Sequence, residues 1–195
     1  IELTFFEITF LVACLCAQRI DAEYFIVETG LGGRYDATRI LPADASIITS
    51  LSLEHRDVLG DTLPLIAAEK AAIARPQKPL IVRKTSNEEA IEAIKFEAEH
   101  AGRNELNETP APASLQWVEI PENVSLQQEA LLLAEAVLSR MKINTDQLSD
   151  AVNRLNWPGR FQEIPAPWSG SILFDAAHNP SGLVRLLPQL MQQVK

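Results

Sequence analysis

The chain has 195 residues, and its 17 basic and 26 acidic side chains give a net charge of −9. Because an acidic surface repels phosphate backbones, this charge disfavours general nucleic-acid binding. Apolar residues make up 47% of the sequence, which is enough for a sizeable core and argues against disorder. The apolar stretch 8–17 is too short to cross a bilayer, so no membrane contact is expected.

Apolar runs alternate with amphipathic segments along most of the chain. We predict strands over 24–28, 45–51, 80–83, 116–120 and 171–174. We predict helices over 4–18, 64–74, 86–101, 127–140, 145–155 and 182–194, and a loop over 104–114. This alternation favours an α/β fold with a mostly parallel sheet flanked by helices.

The run Trp157-Pro158-Gly159-Arg160 interrupts this pattern, and more prolines follow it. We therefore predict one domain over residues 1–157 and the start of a second α/β domain over 158–195. The two cysteines, Cys14 and Cys16, are two residues apart in a predicted helix, where their side chains do not face each other. Free thiols are expected, which fits a reducing cytoplasm.

A glycine-rich segment, Gly30-Leu31-Gly32-Gly33, follows Glu28 at the end of a predicted strand. Ligands of open parallel sheets bind at the carboxyl ends of the strands, and a carboxylate there can hold a metal or a substrate amine. The spacing is not G-x-G-x-x-G, because Tyr35 takes the last position, and the chain contains no Gly-Lys pair of a Walker A loop. A plain turn and a ligand site both remain open.

His55 follows the predicted strand around Ile47-Ile48-Thr49, so it too lies near a strand's carboxyl end. A neutral imidazole is a good ligand for divalent metals, although a solvated loop histidine is the favoured explanation when the residue is taken alone. Lys70 shares one helix face with apolar residues such as Ile66 and Ile73. A lysine in that place must snorkel, pair or change its chemistry.

Three polar side chains follow the last predicted strand, in Asp175-Ala176-Ala177-His178-Asn179-Pro180. Asp175 could accept hydrogen bonds from ribose hydroxyls, and His178 could contact a phosphate. An Asx-type turn before Pro180 is the structural alternative.

In this order the segments resemble the folylpolyglutamate synthase/dihydrofolate synthase family of the Mur ligase superfamily. The family's E-V-G-L-G-G-R-x-D-A-T-N corresponds to 28–39, and its D-H-x-x-x-L-G to 54–60. Its E-K-A-G-I, P-G-R-F/Q and D-x-A-H-N-P correspond to 69–73, 158–162 and 175–180, and its T-x-F-E to 4–7. The family's aspartate, glycine and final asparagine are here Glu54, Ala72 and Arg39.

The resemblance implies ATP-dependent ligation of L-glutamate to dihydropteroate or to a folate polyglutamate, through an acyl phosphate and with Mg²⁺. It assigns residues 1–157 to a Mur ligase-type ATP-binding domain and 158–195 to the start of a glutamate ligase domain. The partners expected are the small molecules ATP, L-glutamate and the pteroate or folate, with no nucleic acid, in a cytoplasmic monomer.

The resemblance also implies residue roles. The metal ligands would be Glu28, His55 and a carbamylated Lys70, and the catalytic groups Lys70 and His178. Nucleotide contacts would come from Gln128, Arg160, Asp175 and His178. Substrate contacts would come from Thr4, Phe6, Arg34 and Asp36.

The family's G-x-x-G-K-[ST] phosphate loop and most of its C-terminal domain are not in this chain, so the chain by itself is expected to be inactive. Two alternatives are a Mur-type ligase that acts on a peptidoglycan precursor and a non-catalytic module that binds folate or nucleotide. The presence together of Glu28, His55 and Lys70 favours an active ligase over the non-catalytic module.

Overall fold

The computed structural model describes residues 2–103, 109–122 and 124–193. The chain divides into two compact units, Ile1–Glu119 and Ile120–Lys195. The domain boundary that we predict at 157/158 falls inside the second unit and stays a prediction about the intact protein. Residues 104–108 of the predicted loop at 104–114 lie outside the described residues, as does position 194 of the last predicted helix.

The first unit alternates helices with short strands, as the sequence predicts. Its elements are α1 (Phe5–Arg19), a 3-10 helix (Ala37–Ile40), β1 (Ser46–Ile48), α2 (Arg56–Leu59), α3 (Leu63–Ala71), β2 (Pro79–Arg83), α4 (Glu88–Glu99) and β3 (Ser114–Val118). Within the described residues the strands form a sheet in the order β1-β2-β3, and both pairs are parallel. The predicted α/β fold is therefore confirmed.

The core of this unit lies between the sheet and the helices α3 and α4. The central strand β2 carries Leu80, Ile81 and Val82, all fully buried, because helices and neighbouring strands cover a parallel strand on every side. Ala67 of α3 and Ile94 of α4 pack in the same cluster as Leu80. The parallel arrangement places the carboxyl ends of the strands at one edge of the sheet, and the segment that carries His55 follows the carboxyl end of β1.

The strand predicted over residues 24–28 is wrong. This segment lies inside the described range 2–103 and contains no strand. Ile26 is 96% exposed, and Tyr24 and Phe25 are also exposed. An apolar run becomes a buried strand only when a neighbouring strand pairs with it, and no described strand of this chain does so.

The second unit contains α5 (Leu126–Arg140), α6 (Leu148–Asn153), β4 (Gln162–Pro165), β5 (Ser171–Phe174) and α7 (Pro180–Gln193). Strands β4 and β5 pair in an antiparallel hairpin, with Glu163 opposite Leu173. The sequence predicts β5 but not β4, because β4 ends in Pro165 and Pro167 follows it closely. Helix α6 begins at Leu148, with Gln147 as its N-cap, so it starts three residues later than the helix predicted over 145–155.

None of the helices in the described parts of the chain combines the length and the apolar character needed to cross a membrane.

We predict that Ile94→Ala lowers the free energy of unfolding by about 2–5 kcal/mol, because it leaves a cavity between α4 and the sheet. Ile94 is fully buried. Lys95→Ala is the matched control, since this neighbour on α4 is exposed and forms only a surface ion pair with Glu92. Denaturant unfolding of the two variants measures the difference, and equal midpoints would contradict the assigned packing of α4.

Candidate functional site

The segment from Gly30 to Asp36, here called the glycine loop, is closed by the carboxylate of Asp36. This carboxylate accepts hydrogen bonds from the Leu31 amide at 2.9 Å and from the Thr38 amide at 3.0 Å. The Thr38 hydroxyl donates to it as well, at 2.6 Å. Asp36 thus holds the loop in shape and caps the following 3-10 helix. A substrate contact of Asp36 stays a prediction.

The glycine loop packs directly against the two helices that follow it in the chain. A Cβ atom on Gly32 would lie 2.7 Å from a methyl carbon of Leu59, in α2. A Cβ atom on Gly33 would lie 2.8 Å from the carbonyl oxygen of Glu69 and 2.9 Å from that of Lys70, in α3. The glycines therefore permit a close approach that any larger residue would prevent.

The three predicted metal-site residues lie next to the glycine loop in the chain or on the two helices that the loop contacts. Glu28 lies two residues before the loop, and His55 is the N-cap of α2, where it adopts a left-handed backbone conformation with φ 52°. Lys70 lies in the last turn of α3, directly under Gly33. The glycine loop is thus the element that connects all three positions.

The side chains of Glu28 and His55 are exposed, and that of Lys70 is half-buried. None of the three forms a hydrogen bond or an ion pair with any other residue that the structure describes. They are therefore available to a ligand. No group of three or more His, Cys, Asp or Glu side chains within the described ranges is placed to hold a metal. The predicted ligand set includes only two side chains of these types, Glu28 and His55, and its third member is Lys70. It is therefore not a group of this kind and stays a prediction.

The side chain of Arg34 is held by carboxylates of two helices. Its Nε donates to Glu69 Oε1 of α3 at 2.8 Å, and its Nη2 donates to Glu97 Oε1 of α4 at 2.9 Å. Further bonds from Nη1 to Glu97 Oε2 and from Nη2 to the Ala68 carbonyl are 3.4 Å and 3.3 Å long. Arg103 donates to the same Glu97 Oε1 at 2.8 Å. The hydrogen bond that Arg34 donates to Glu97 raises the pKa of Arg34 above its ordinary value.

Thr4 and Phe6, both predicted substrate contacts, have structural partners. Thr4 is the N-cap of α1 and forms a capping box with Glu7, whose carboxylate accepts from the Thr4 amide and hydroxyl, each at 2.7 Å. The ring of Phe6 lies against Gly30, where a Cβ would come within 2.7 Å of the ring. Phe6 thus lies at the entrance of the glycine loop, and its contact with a substrate stays a prediction.

In the second unit, Asp175 joins two loops. Its carboxylate accepts from the Phe161 amide and from the Ala177 amide, both at 2.7 Å. The Ala176 amide also donates to the Gly159 carbonyl at 2.8 Å. These bonds connect the segment that carries Arg160 to the loop that carries His178, so two of the four predicted nucleotide contacts lie on hydrogen-bonded loops. Both side chains are exposed.

Gln128, the fourth predicted nucleotide contact, lies at the start of α5. Its Oε1 accepts from the Ser125 amide at 2.9 Å, and its own amide donates to the Ser125 hydroxyl at 3.1 Å, which makes a second capping box. Its side-chain NH₂ group remains for a ligand. In the next residue, the buried Glu129 forms an ion pair with Arg185 of α7.

Sequence reasoning missed Glu97 and the role of Glu69. A signal for Glu97 was present: with Ala90, Ile94 and Ala98 it lies on the buried face of α4. A carboxylate in an apolar stripe requires a partner, which is the same argument that singled out Lys70.

Known proteins confirm the resemblance in sequence, although no protein-family model matches the chain. The dihydrofolate synthase/folylpolyglutamate synthase of Escherichia coli is 31% identical over 207 residues, which cover 97% of this chain and 48% of the relative. A probable bifunctional folylpolyglutamate synthase/dihydropteroate synthase of Halobacterium salinarum is 32% identical over 198 residues, covering 91% of this chain and 24% of the relative.

Solved structures share the fold. E. coli FolC in complex with ADP matches with a TM-score of 0.83 and 29% identity, over 100% of this chain and 50% of that chain. E. coli FolC in complex with DHPP and ADP matches with a TM-score of 0.81 and 28% identity, over 99% and 49%. A bifunctional folylpolyglutamate synthase/dihydrofolate synthase from Yersinia pestis with AMPPNP and a Mn ion matches with a TM-score of 0.75 and 27% identity. The match covers 98% of this chain and 49% of that chain.

The fold is that of the Mur ligase-type α/β class. More narrowly, the chain is a homologue of the dihydrofolate synthase/folylpolyglutamate synthases along nearly its whole length. It spans at most about half the length of the curated relatives it matches, 48% for the E. coli protein.

We predict that Gly33→Ala destabilises the protein by about 1–3 kcal/mol, because the added methyl group overlaps backbone carbonyls that cannot rotate away. Gly30→Ala is the matched control. Its methyl group would meet the side chain of Phe6, which can turn aside at lower cost. Thermal unfolding of the two variants tests this order. A larger loss for Gly30→Ala would contradict the contact between the glycine loop and α3.

We predict that the capping box of α1 stabilises the protein at neutral pH and loses its effect in acid. The hydrogen bonds from Thr4 lower the pKa of Glu7 in the folded state. The stabilisation is therefore fully present above the unfolded pKa of a glutamate, about 4.3. It disappears as the pH falls through the lower pKa of the folded state. Unfolding midpoints of the native protein and Glu7→Gln should differ at pH 7 and converge in acid; a constant difference would exclude this linkage.

Proposed function

We propose that the intact protein joins the amino group of L-glutamate to the carboxylate of dihydropteroate, of a folate, or of both, at the expense of ATP. The observation that carries this proposal is the glycine loop. The loop follows Glu28 and contacts the helix turn that carries Lys70. The chain that contains it is similar to an E. coli dihydrofolate synthase/folylpolyglutamate synthase, and the match covers 48% of that relative. The names of these relatives favour a folate acceptor over a peptidoglycan precursor.

Glu28 and His55 fit a divalent cation, because both side chains are exposed and have no partner among the described residues. Carboxylate oxygen suits Mg²⁺ and Mn²⁺, and imidazole is acceptable to Mn²⁺. A cation held there would neutralise charge on the phosphates during phosphoryl transfer. The presence of a Mn ion and AMPPNP in the related Yersinia pestis structure supports a metal–nucleotide site of this kind.

Lys70 is proposed to carry a carbamate. The ammonium group first loses one proton; the neutral amine then adds to CO₂, forms an N–C bond and releases a second proton, so a cation becomes an anion. The Lys70 side chain is half-buried and has no hydrogen-bond or ion-pair partner among the described residues, which supports its modification. An anion in this place would add a second oxygen ligand beside Glu28.

In the second unit, Arg160 and His178 are proposed to contact the nucleotide, with His178 near the transferred phosphate. Asp175 uses one lone pair of each oxygen on backbone amides, and the remaining pairs can accept ribose hydroxyls. Gln128 can donate its NH₂ group to a base. A cytoplasmic monomer stays a prediction.

We predict that Lys70→Ala lowers ligation at least about 10²-fold in the full-length protein, because it removes a charged group from the reacting phosphates. Formation of the glutamate conjugate from dihydropteroate, L-glutamate and ATP is the measurement. Lys95→Ala is the control, since this lysine is exposed on α4 and pairs with Glu92 at 2.8 Å.

Two outcomes would contradict the assignment at different levels. Ligation by Lys70→Ala close to that of the native protein would exclude the role of Lys70 but leave the proposed function. Absence of ligation by the native full-length protein, with dihydropteroate and with folates as acceptors, would exclude the function itself.

A further inference from the structure

The cluster of Arg34, Glu69 and Glu97, here called the Arg34 cluster, joins the glycine loop to two helices. Only 7% of the Glu97 side chain and 16% of the Arg34 side chain are exposed. Charges buried to this degree are retained only when they are paired and hydrogen-bonded. The Arg34 guanidinium meets this need with a fork: Nε faces Glu69, and the two terminal nitrogens face Glu97.

These bonds leave the Arg34 side chain little capacity for a ligand. Each of its three nitrogens donates to a carboxylate, and Nη2 also donates to the Ala68 carbonyl. A substrate carboxylate would have to displace Glu69 or Glu97 and leave that charge without its partner. The cost of such an exchange argues against direct recognition of a substrate by Arg34.

The backbone of the same residue is attached to α3 as well. The Arg34 amide donates to the Glu69 carbonyl at 3.1 Å, next to the close contact between Gly33 and the carbonyls of Glu69 and Lys70. The backbone amide of Arg34 therefore bonds to the Glu69 carbonyl, and the Arg34 side chain bonds to the Glu69 carboxylate, both in the last turn of α3. That turn carries Lys70, and the loop itself follows Glu28.

We propose that Arg34 is a positioning residue, which through Glu69 and Glu97 fixes the Lys70 turn of α3 relative to the glycine loop, and does not bind substrate. This inference rests on the proposed ligase function for its kinetic consequence. It replaces the substrate contact that the sequence suggests for Arg34 with a mechanical role. It also gives the buried Glu97, 63 residues away in the chain, a part in the same site.

The test compares Arg34→Lys, Arg34→Gln and Glu97→Gln in the full-length protein. Misplacement of reacting groups by about 1 Å costs up to ~10²-fold in rate, so kcat should fall about tenfold or more in all three variants. Because no substrate contact is lost, KM for the pteroate and for glutamate should stay within about twofold. Arg34→Lys keeps the charge but cannot fork between two carboxylates, so it remains informative if Arg34→Gln does not fold.

Arg103→Gln is the matched control. Arg103 donates to the same oxygen of Glu97, but it touches no residue of the glycine loop among its described contacts. Its kcat and KM should therefore stay within about twofold of the native values. A rise in KM of tenfold or more with unchanged kcat in the Arg34 variants, or native kinetics in Glu97→Gln, would overturn the proposal.

Hydrogen exchange provides a readout that does not depend on ligation. In Arg34→Gln and Glu97→Gln, amides over residues 30–36 and the last turn of α3 should exchange faster, whereas Arg103→Gln should match the native protein. If the native protein shows no ligation, the proposed function fails, and the exchange pattern alone then tests the positioning role of Arg34. Unchanged exchange over residues 30–36 would then exclude a positioning role for Arg34.

Discussion

The contact between Gly33 and the last turn of α3 is the constraint on which the candidate site depends. Two backbone carbonyls lie where a side chain of residue 33 would begin, so the loop and the helix meet with nothing between them. Glu28 lies two residues before this loop, and Lys70 lies in the helix turn that the loop contacts. The absence of a methyl group at residue 33 thus sets how closely the glycine loop approaches the turn that carries Lys70.

Most of the fold follows from patterns that can be read in the sequence. Helices α3 and α4 and the buried strand β2 are predicted correctly because burial imposes their apolar periodicity. The run from Tyr24 to Glu28 has the same composition as a strand, but pairing depends on a neighbour that local sequence does not encode. Strand β4 was missed for the opposite reason, since its partner β5 stabilises a segment of weak intrinsic preference.

Motif spacing also finds most residues of the candidate site, but not what those residues contact. Arg34 is easily found beside the glycines, yet its partners lie 35 and 63 residues away in the chain. Asp36 and Asp175 look like ligand-binding carboxylates, and only their bonds to backbone amides show that they also shape loops. Residue type identifies a position of interest, whereas the distant partners decide whether it meets a ligand or another part of the protein.

The two aspartates that close loops have a consequence for the thermodynamics of ligand binding. Asp36 and Asp175 each accept two backbone amides, so the loops around them are already held in one conformation by the protein itself. Fixing the backbone of a free residue costs about 1–2 kcal/mol in conformational entropy. A ligand that meets loops ordered in advance avoids that cost, so its affinity reports the contacts it makes and not the ordering of the loops.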